Sequence, residues 1–309
     1  MSDVIADLAL VDARLIAERV SMASAIEALQ TTLRNGFDPE DDLPRTIADI
    51  PGGQLLLMPA AAGGAVGQKF ASVAPGNPAR GLERIQAVYI LMDGETLTPT
   101  ALLDGTALTS LRTPAVSAAC ADVLAGPEAG DLVVFGTGPQ AVRHVEAFAA
   151  IRSLRSVRLV GRDAGRTASA ADAARRYAPD ADIRPGTVDD VRAADLIVCA
   201  TTAAAPLFAA DAVRDDATVV AIGSHEPDRA ELPPELLGRA QVVVESRRVA
   251  AAEAGDVIGA VRAGMLRADD LVTMHDLLTG AIAPATDRPR VVKTCGMGWQ
   301  DLVVARRAV

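Results

Sequence analysis

Apolar runs alternate with helical stretches through the second half of the chain. From residue 131 onward the runs read "DLVVFG", "VRLVG", "DLIVCA", "ATVVAIG" and "AQVVVES". They are rich in Val and Ile and show little polar alternation, which is typical of a parallel sheet buried on both faces. This half is therefore predicted to be an α/β domain.

The first half has a different pattern. Residues 9–35 predict the start of a strand and then helix, which Gly36 ends. Over 54–108 short apolar runs are separated by Gly, Pro and Asn-Pro, which indicates strands joined by turns. The segment "LRTPAVSAACADVLAG" predicts a helix with Thr113 as N-cap and Pro114 at its first position.

These changes of pattern define the predicted domains. The first spans 1–113 and the second spans 114–289. A C-terminal segment, 290–309, holds a short apolar run and an amphipathic helix, and we expect it to return to the first domain.

Composition narrows the function classes. The net charge of −10 and an aromatic content of 3% argue against a nucleic-acid-binding surface. Three widely spaced cysteines predict neither a disulfide framework nor a zinc site, and no residue is predicted to bind a metal. Acidic residues stand where a signal peptide would be basic, and no apolar stretch is long enough to span a membrane. A cytoplasmic protein is expected.

A glycine-rich turn joins the first apolar run of the second domain to a helix. It reads Gly136-Thr137-Gly138-Pro139-Gln140-Ala141. The first glycine permits a tight turn, the second lets the backbone approach a pyrophosphate, and the small alanine allows close packing of helix on sheet. The motif predicts a dinucleotide site that uses Gly136, Thr137, Gly138, Pro139 and Gln140.

The next apolar run bears on the choice of cofactor. An NAD site usually has a carboxylate at this strand end, but here the run ends Gly161-Arg162-Asp163. Arg162 and Arg166 are suited to a 2′-phosphate, which favours NADP(H) over NAD(H). In the alternative, Asp163 only caps the following helix and both arginines are solvated.

Basic residues stand out in the first domain. Only Lys69 and Lys293 among the 30 basic residues are lysines. Each is either a position where arginine is a poor substitute for a compact ammonium or a chance survivor of the arginine bias. Arg45, Lys69 and Arg112 together suggest a clamp for a small anion such as a carboxylate. Each of them alone is more typical of an ordinary surface charge.

Motifs along almost the whole chain resemble the ornithine cyclodeaminase/mu-crystallin family. The matching pieces, in order, are Pro44-Arg45, Met58-Pro59, Gly67-Gln68-Lys69-Phe70, Gly76-Asn77-Pro78, Leu111-Arg112-Thr113, the 136–141 turn, 223–232 and Glu253-Ala254-Gly255-Asp256. The resemblance implies a Rossmann dinucleotide-binding domain. It also implies an α+β substrate-binding domain, built from both chain ends, that pairs subunits into a homodimer.

The resemblance also implies roles for individual residues. Arg45, Lys69 and Arg112 match residues that hold the substrate α-carboxylate, and Asp228 matches an aspartate that handles the substrate nitrogen and its protons. Lys69 is a further catalytic candidate, as a charge or an acid. Thr113 is assigned to cofactor binding. The roles of Arg84, His225 and Glu226 stay open.

The predicted function is an NAD(P)H-dependent oxidoreductase of the C–N bond of a small α-imino or amino acid. Ketimine or pyrroline-carboxylate reduction and alanine-dehydrogenase-like oxidation both fit. Ornithine cyclodeamination, with NAD⁺ as catalytic cofactor, is the first alternative. Leu56 disfavours it, because it stands where ornithine-converting members carry an acid for the distal ammonium. The second alternative is an NADPH-dependent small-molecule binding protein of mu-crystallin type.

Overall fold

Two β-sheets organise the chain, and each belongs to a different compact unit. The computed structural model describes residues 4–309. The first unit consists of the residues up to Thr113 together with Gly296–Val309, and the second unit is Pro114–Cys295. The predicted fold class, a Rossmann domain with a second α+β domain, is confirmed.

The first unit begins with a short strand and two helices. These are β1 (Ala9–Val11), α1 (Ala13–Arg19) and α2 (Met22–Arg34). Asp12 caps α1 by accepting a hydrogen bond from the backbone N–H of Leu15, and Ser21 caps α2 in the same way. The helical pattern predicted over 9–35 is therefore interrupted once, because a second N-cap stands within it.

An antiparallel meander forms most of the first sheet. Its strands are β2 (Thr46–Ile50), β3 (Gly53–Ala62), β4 (Ala65–Val73), β5 (Ile85–Asp93) and β6 (Pro99–Asp104). β1 pairs in parallel with β6, so that the order is β1-β6-β5-β4-β3-β2. Side chains alternate between a buried and an open face.

Helix α3 (Gly105–Leu124) follows β6 directly. The predicted helix start at Thr113 is wrong. Asp104 accepts a hydrogen bond from the N–H of Ala107, which caps the helix nine residues earlier. Pro114 lies inside the helix, where its ring removes one backbone donor. A proline at an N-terminal position and one within a helix look alike in the sequence.

The second unit alternates strands and helices. Its elements are β7 (Asp131–Phe135), α4 (Pro139–Ile151), β8 (Ser156–Val160), α5 (Ala164–Ala174), β9 (Asp182–Pro185), β10 (Leu196–Cys199), β11 (Thr218–Ala221), α6 (Pro234–Arg239), β12 (Gln241–Val244), α7 (Arg247–Glu253), α8 (Gly255–Arg262), β13 (Val272–Thr273), α9 (Met274–Leu278) and β14 (Arg290–Lys293). All the strands pair in parallel, in the order β13-β12-β14-β11-β10-β7-β8-β9. The central strands are buried on both faces, as their unbroken Val and Ile runs predict.

Strand β14 changes one predicted boundary. The C-terminal segment was expected to leave the second domain at residue 290, but β14 lies between β11 and β12 in the second sheet. Val291 and Val292 are fully buried there. The short apolar run at 290–293 thus completes the parallel sheet, and the chain joins the first unit only from Gly296.

The last helix, α10 (Gly298–Ala308), belongs to the first unit. It packs on the buried face of the first sheet against β3 and β4, and also against α2. The helix is polar where it begins, at Gln300 and Asp301, and both of these side chains are fully buried. No helix within residues 4–309 combines the length and apolar character that a membrane crossing needs.

Candidate active site

The clamp residues gather around the start of α10 in the first unit. Lys69, on the buried face of β4, donates a hydrogen bond to Asp301 Oδ2 at 2.7 Å. Arg112 Nε lies 3.3 Å from Asp301 Oδ1, and its Nη1 donates to Gln300 Oε1 at 2.8 Å. Arg45 donates to the carbonyl oxygen of Gly296 at 3.3 Å. The structure thus brings Arg45, Lys69 and Arg112 to one short segment.

Burial and neighbouring charges shift the pKa of Lys69, the lysine of this cluster. Burial lowers the pKa of Lys69 to about 8, and the charges of Arg112 and Arg45 act in the same direction. Asp301 opposes them through its charge and its hydrogen bond. A lysine with such a pKa holds its proton near neutral pH and releases it in mildly alkaline solution.

Gly296 shapes the position of Arg112. Its φ of +83° is in the region that favours glycine, and a Cβ added there would lie 2.6 Å from Arg112 Nη1. Any side chain at 296 would therefore displace the guanidinium. The sequence motifs identified Arg112, but they gave no indication of Gly296, Gln300 or Asp301. These residues are remote in sequence, and their contacts depend on how α10 packs.

The glycine-rich turn of the second unit has the geometry of a phosphate cradle. Gly136 has a φ of +124°, and a Cβ there would clash with the carbonyl of Ala200, whereas Gly138 faces open space. Among residues 4–309 no side chain caps the start of α4, and the amino end of this helix suits an anion. Ala141 is fully buried against the sheet. These residues fit a dinucleotide pyrophosphate.

A cleft of about 650 Å³ adjoins this turn, and Thr137, Gly138, Pro139, Arg166 and Ser169 are among the residues that line it. Asp163 caps α5 by accepting from the N–H of Arg166 at 2.7 Å, so the capping alternative holds for this carboxylate.

Both arginines of the cofactor prediction are exposed. Neither the Arg162 nor the Arg166 guanidinium makes a hydrogen bond or ion pair with other residues in the described part of the chain. Both are thus open to a ligand. Thr113 lies within α3, where it is half-buried.

The polar loop after β11 presents Asp228 to solvent. Asp228 is exposed, and its neighbour Glu226 forms an ion pair with Arg229 at 2.7 Å. By contrast, the side chains of Glu231, at the end of the loop, and of Asp256, at the start of α8, are almost fully buried. The sequence motifs contained both of these carboxylates but assigned them no role.

Burial governs the protonation of the groups under this loop. It raises the pKa of Glu231, against the opposing effects of Lys293 and of hydrogen bonds from Thr201 and Gly223. Burial lowers the pKa of Lys293, but the charges of Cys295, Asp256 and Glu231 outweigh it, so the pKa is raised. Lys293 therefore stays an ammonium at neutral pH.

His144 is a further polar candidate, and its hydrogen bonds are those of a buried structural residue. His144 is fully buried between Ser117 Oγ (2.9 Å from Nε2) and the carbonyl of Gln140 (2.7 Å from Nδ1). Burial lowers its pKa to about 4, so the imidazole is neutral. In residues 4–309 no three His, Cys, Asp or Glu side chains cluster in a way that suits a metal ion.

Comparison with known proteins identifies the family. The sequence model of the ornithine cyclodeaminase/mu-crystallin family matches residues 8–308. The chain belongs to this family. The predicted membership is confirmed.

Curated relatives and a solved structure agree with this assignment. A Delta(1)-pyrroline-2-carboxylate reductase of Bacillus cereus is 32% identical over 306 residues, covering 93% of this chain and 91% of the relative. Ketimine reductase mu-crystallin of Mus musculus is 31% identical over 256 residues, covering 82% and 79%. An archaeal alanine dehydrogenase dimer with bound NAD superposes with a TM-score of 0.87 at 27% identity, covering 97% of this chain and 94% of that one.

Proposed function

We propose that this family member reduces the C=N bond of a small cyclic α-imino acid of the pyrroline-2-carboxylate class. The predicted enzyme class, a nicotinamide-dependent oxidoreductase of the C–N bond, is supported by relatives named as pyrroline-carboxylate and ketimine reductases. The observation that carries the proposal is the cluster of three cations along 296–301, where Lys69 and Arg112 contact Asp301 and Arg45 contacts the carbonyl of Gly296. Such a cluster suits the carboxylate of an imino acid.

In this proposal Arg45, Lys69 and Arg112 bind the substrate carboxylate. Asp301 holds the buried ammonium and guanidinium in place without neutralising all three cations, which leaves positive charge for the substrate. Fixing the carboxylate also fixes the imine carbon, since the two are bonded. The residues of the first unit thus contribute to catalysis mainly by positioning the substrate.

Asp228 is assigned to the substrate nitrogen. The imine must be protonated as its carbon is reduced, and a carboxylate stabilises the iminium cation that results. The nicotinamide, when bound, supplies the hydride. In the reverse direction Asp228 would accept a proton from the amine of an amino acid.

We also propose a preference for NADPH over NADH. The turn at 136–141 suits either dinucleotide, but the exposed guanidinium groups of Arg162 and Arg166 suit a 2′-phosphate. The carboxylate nearby, Asp163, already accepts a backbone hydrogen bond as the cap of α5.

A homodimer is proposed from the open face of the first sheet. Leu57, Phe70 and Val88 are cross-strand neighbours there, and they are 38%, 44% and 45% exposed. A continuous apolar face of this kind is typical of a subunit interface. A second copy of the chain is the occupant that we propose, because the archaeal relative is a dimer. Phe70→Glu is expected to yield monomers in light scattering.

A cytoplasmic location is part of the same proposal. Cys120 and Cys199 are buried, reduced thiols, the state that a reducing compartment maintains.

The proposed reaction is tested with a panel of substrates. The purified protein is given five- and six-membered cyclic imino acids, or pyruvate with ammonia or methylamine, with NADH or NADPH. We expect the cyclic imines to be reduced fastest, and Asp228→Asn to lower kcat by about 100-fold or more. If Asp228→Asn reduced imines as fast as the parent protein, the catalytic proposal would fail and a binding role of mu-crystallin type would gain support.

A further inference from the structure

Buried carboxylates form hydrogen bonds at both ends of the loop that carries Asp228, residues 224–232. Glu231 accepts three hydrogen bonds: from the N–H of Thr201 at 2.8 Å, from Thr201 Oγ1 at 2.6 Å and from the N–H of Gly223 at 2.6 Å. Thr201 follows β10 and Gly223 follows β11. One side chain thus joins the carboxyl ends of two neighbouring strands to the far end of the loop.

Asp256, at the start of α8, also forms hydrogen bonds with this loop. Its Oδ1 accepts from the N–H groups of Glu231 and Leu232 at 2.7 and 2.8 Å, and its Oδ2 accepts from Ser224 Oγ. The backbone of Gly255 packs so closely under the loop that a Cβ there would clash with the carbonyls of Glu226 and Arg229. The start of α8 is therefore a support for residues 224–232.

Lys293 compensates this buried negative charge. Its Nζ lies 3.2 Å from Asp256 Oδ2, and both side chains are inaccessible to solvent. Two buried carboxylates without a cation would be strongly destabilising. This accounts for one of the two lysines in an arginine-rich chain, since the fully enclosed position suits a compact ammonium better than a guanidinium.

We propose that Glu231 and Asp256, neutralised by Lys293, are positioning residues that hold the exposed Asp228 in its reactive place. The inference rests on the proposed function, because it assumes that Asp228 is catalytic. The ends of the loop are rigid through charge-assisted hydrogen bonds, whereas its middle carries an exposed carboxylate. A catalytic group needs such support, because a displacement of about 1 Å costs up to about 100-fold in rate.

Glu231→Gln tests the inference. The amide keeps the shape but turns an NH₂ group toward backbone donors, so we expect kcat for cyclic imine reduction at saturating cofactor to fall about 10- to 100-fold. KM for the imine is expected to change less than about threefold, because the clamp is untouched. Thr218→Val is the matched control. It removes a buried threonine hydroxyl, hydrogen-bonded to Arg290, at the amino end of β11 and is expected to leave kcat unchanged.

A double-mutant cycle distinguishes a positioning role of Glu231 from a nonspecific effect of its substitution on the structure. If Glu231 acts through Asp228, Glu231→Gln will lower kcat no further in the Asp228→Asn background. Equal losses in both backgrounds would overturn the inference and leave the role of Asp228 intact. An unchanged kcat for Asp228→Asn alone would overturn the proposed function and the inference with it. Should Glu231→Gln not fold, Ser224→Ala, which removes one bond to Asp256, takes its place in the cycle with the same criteria.

Discussion

Lys69 and Asp301 form an ion pair in the interior of the first unit, with 2.7 Å between Nζ and Oδ2, although 232 positions separate them in the chain. The two side chains are 3% and 0% exposed. Asp301 also contacts Arg112, so a single carboxylate from the last helix organises two buried cations. The predicted clamp therefore depends on a residue that lies outside every motif of the sequence.

Asp301→Asn is expected to destabilise the protein. The neutral amide leaves two buried cations without a counter-charge, and breaking a buried pair in this way costs about 3–5 kcal/mol. The free energy of unfolding in urea measures the effect. Asp172→Asn is the control, since it breaks an exposed pair with Arg175 and should cost less than about 0.5 kcal/mol. Equal losses in the two variants would contradict the assigned role of Asp301.

The affinity for a carboxylate ligand is expected to fall as the pH rises through about 8. Lys69 has its pKa lowered to about 8, so it is charged below that pH and loses its charge above it. The inhibition constant of an aromatic carboxylate analogue, whose charge is constant over this range, reports the change. Lys69→Met should bind the analogue weakly and without this pH dependence. A persistent fall in affinity near pH 8 in Lys69→Met would assign the titration to another group.

Gly296→Ala is expected to weaken substrate binding through Arg112. The added Cβ would lie 2.6 Å from Arg112 Nη1, so the guanidinium must move, and we expect the substrate KM to rise about 10-fold. Gly36→Ala is the matched control, because its φ of +95° imposes similar backbone strain with no atom within 4 Å of the new Cβ. Both variants should lose about 1 kcal/mol of stability. A KM that rises equally in both would point to strain rather than to displacement of Arg112.

The sequence predicts the sheets better than the links between distant residues. Buried Val and Ile runs identified the parallel sheet, and the turn at 136–141 has the predicted conformation. The start of α3 was misplaced because Asp104 ends an apolar run, Ala101-Leu102-Leu103, that predicts a strand and a turn, whereas the Thr113-Pro114 pair is a more conspicuous helix start. The partners of Lys69 could not be read from spacing, because they are set by the packing of α10 on β3 and β4.

The chain is expected to convert ornithine poorly. Leu56 is two residues from Met58 on β3 and so shares the face that carries Lys69, the cross-strand neighbour of Met58. An apolar side chain at this position offers no partner for the distal ammonium of ornithine. Incubation with ornithine and NAD⁺ should give no more proline than a blank without enzyme. Rapid formation of proline and ammonia would instead establish a cyclodeaminase.

Removal of the two exposed arginines is expected to reverse the cofactor preference. A charge-assisted contact to phosphate contributes about 1.5–3 kcal/mol, so Arg162→Ala with Arg166→Ala should lower kcat/KM for NADPH by at least about 10-fold. The value for NADH should stay within about twofold, because NADH has no 2′-phosphate. Arg175→Ala is the control, since this exposed arginine, just after the end of α5, pairs with Asp172 instead of lining the cleft. Two results would contradict this role: a preference of the parent protein for NADH, or an equal fall of kcat/KM for NADPH and NADH in the double variant. In either case the two guanidinium groups do not bind the 2′-phosphate, and the turn at 136–141 alone accounts for dinucleotide binding.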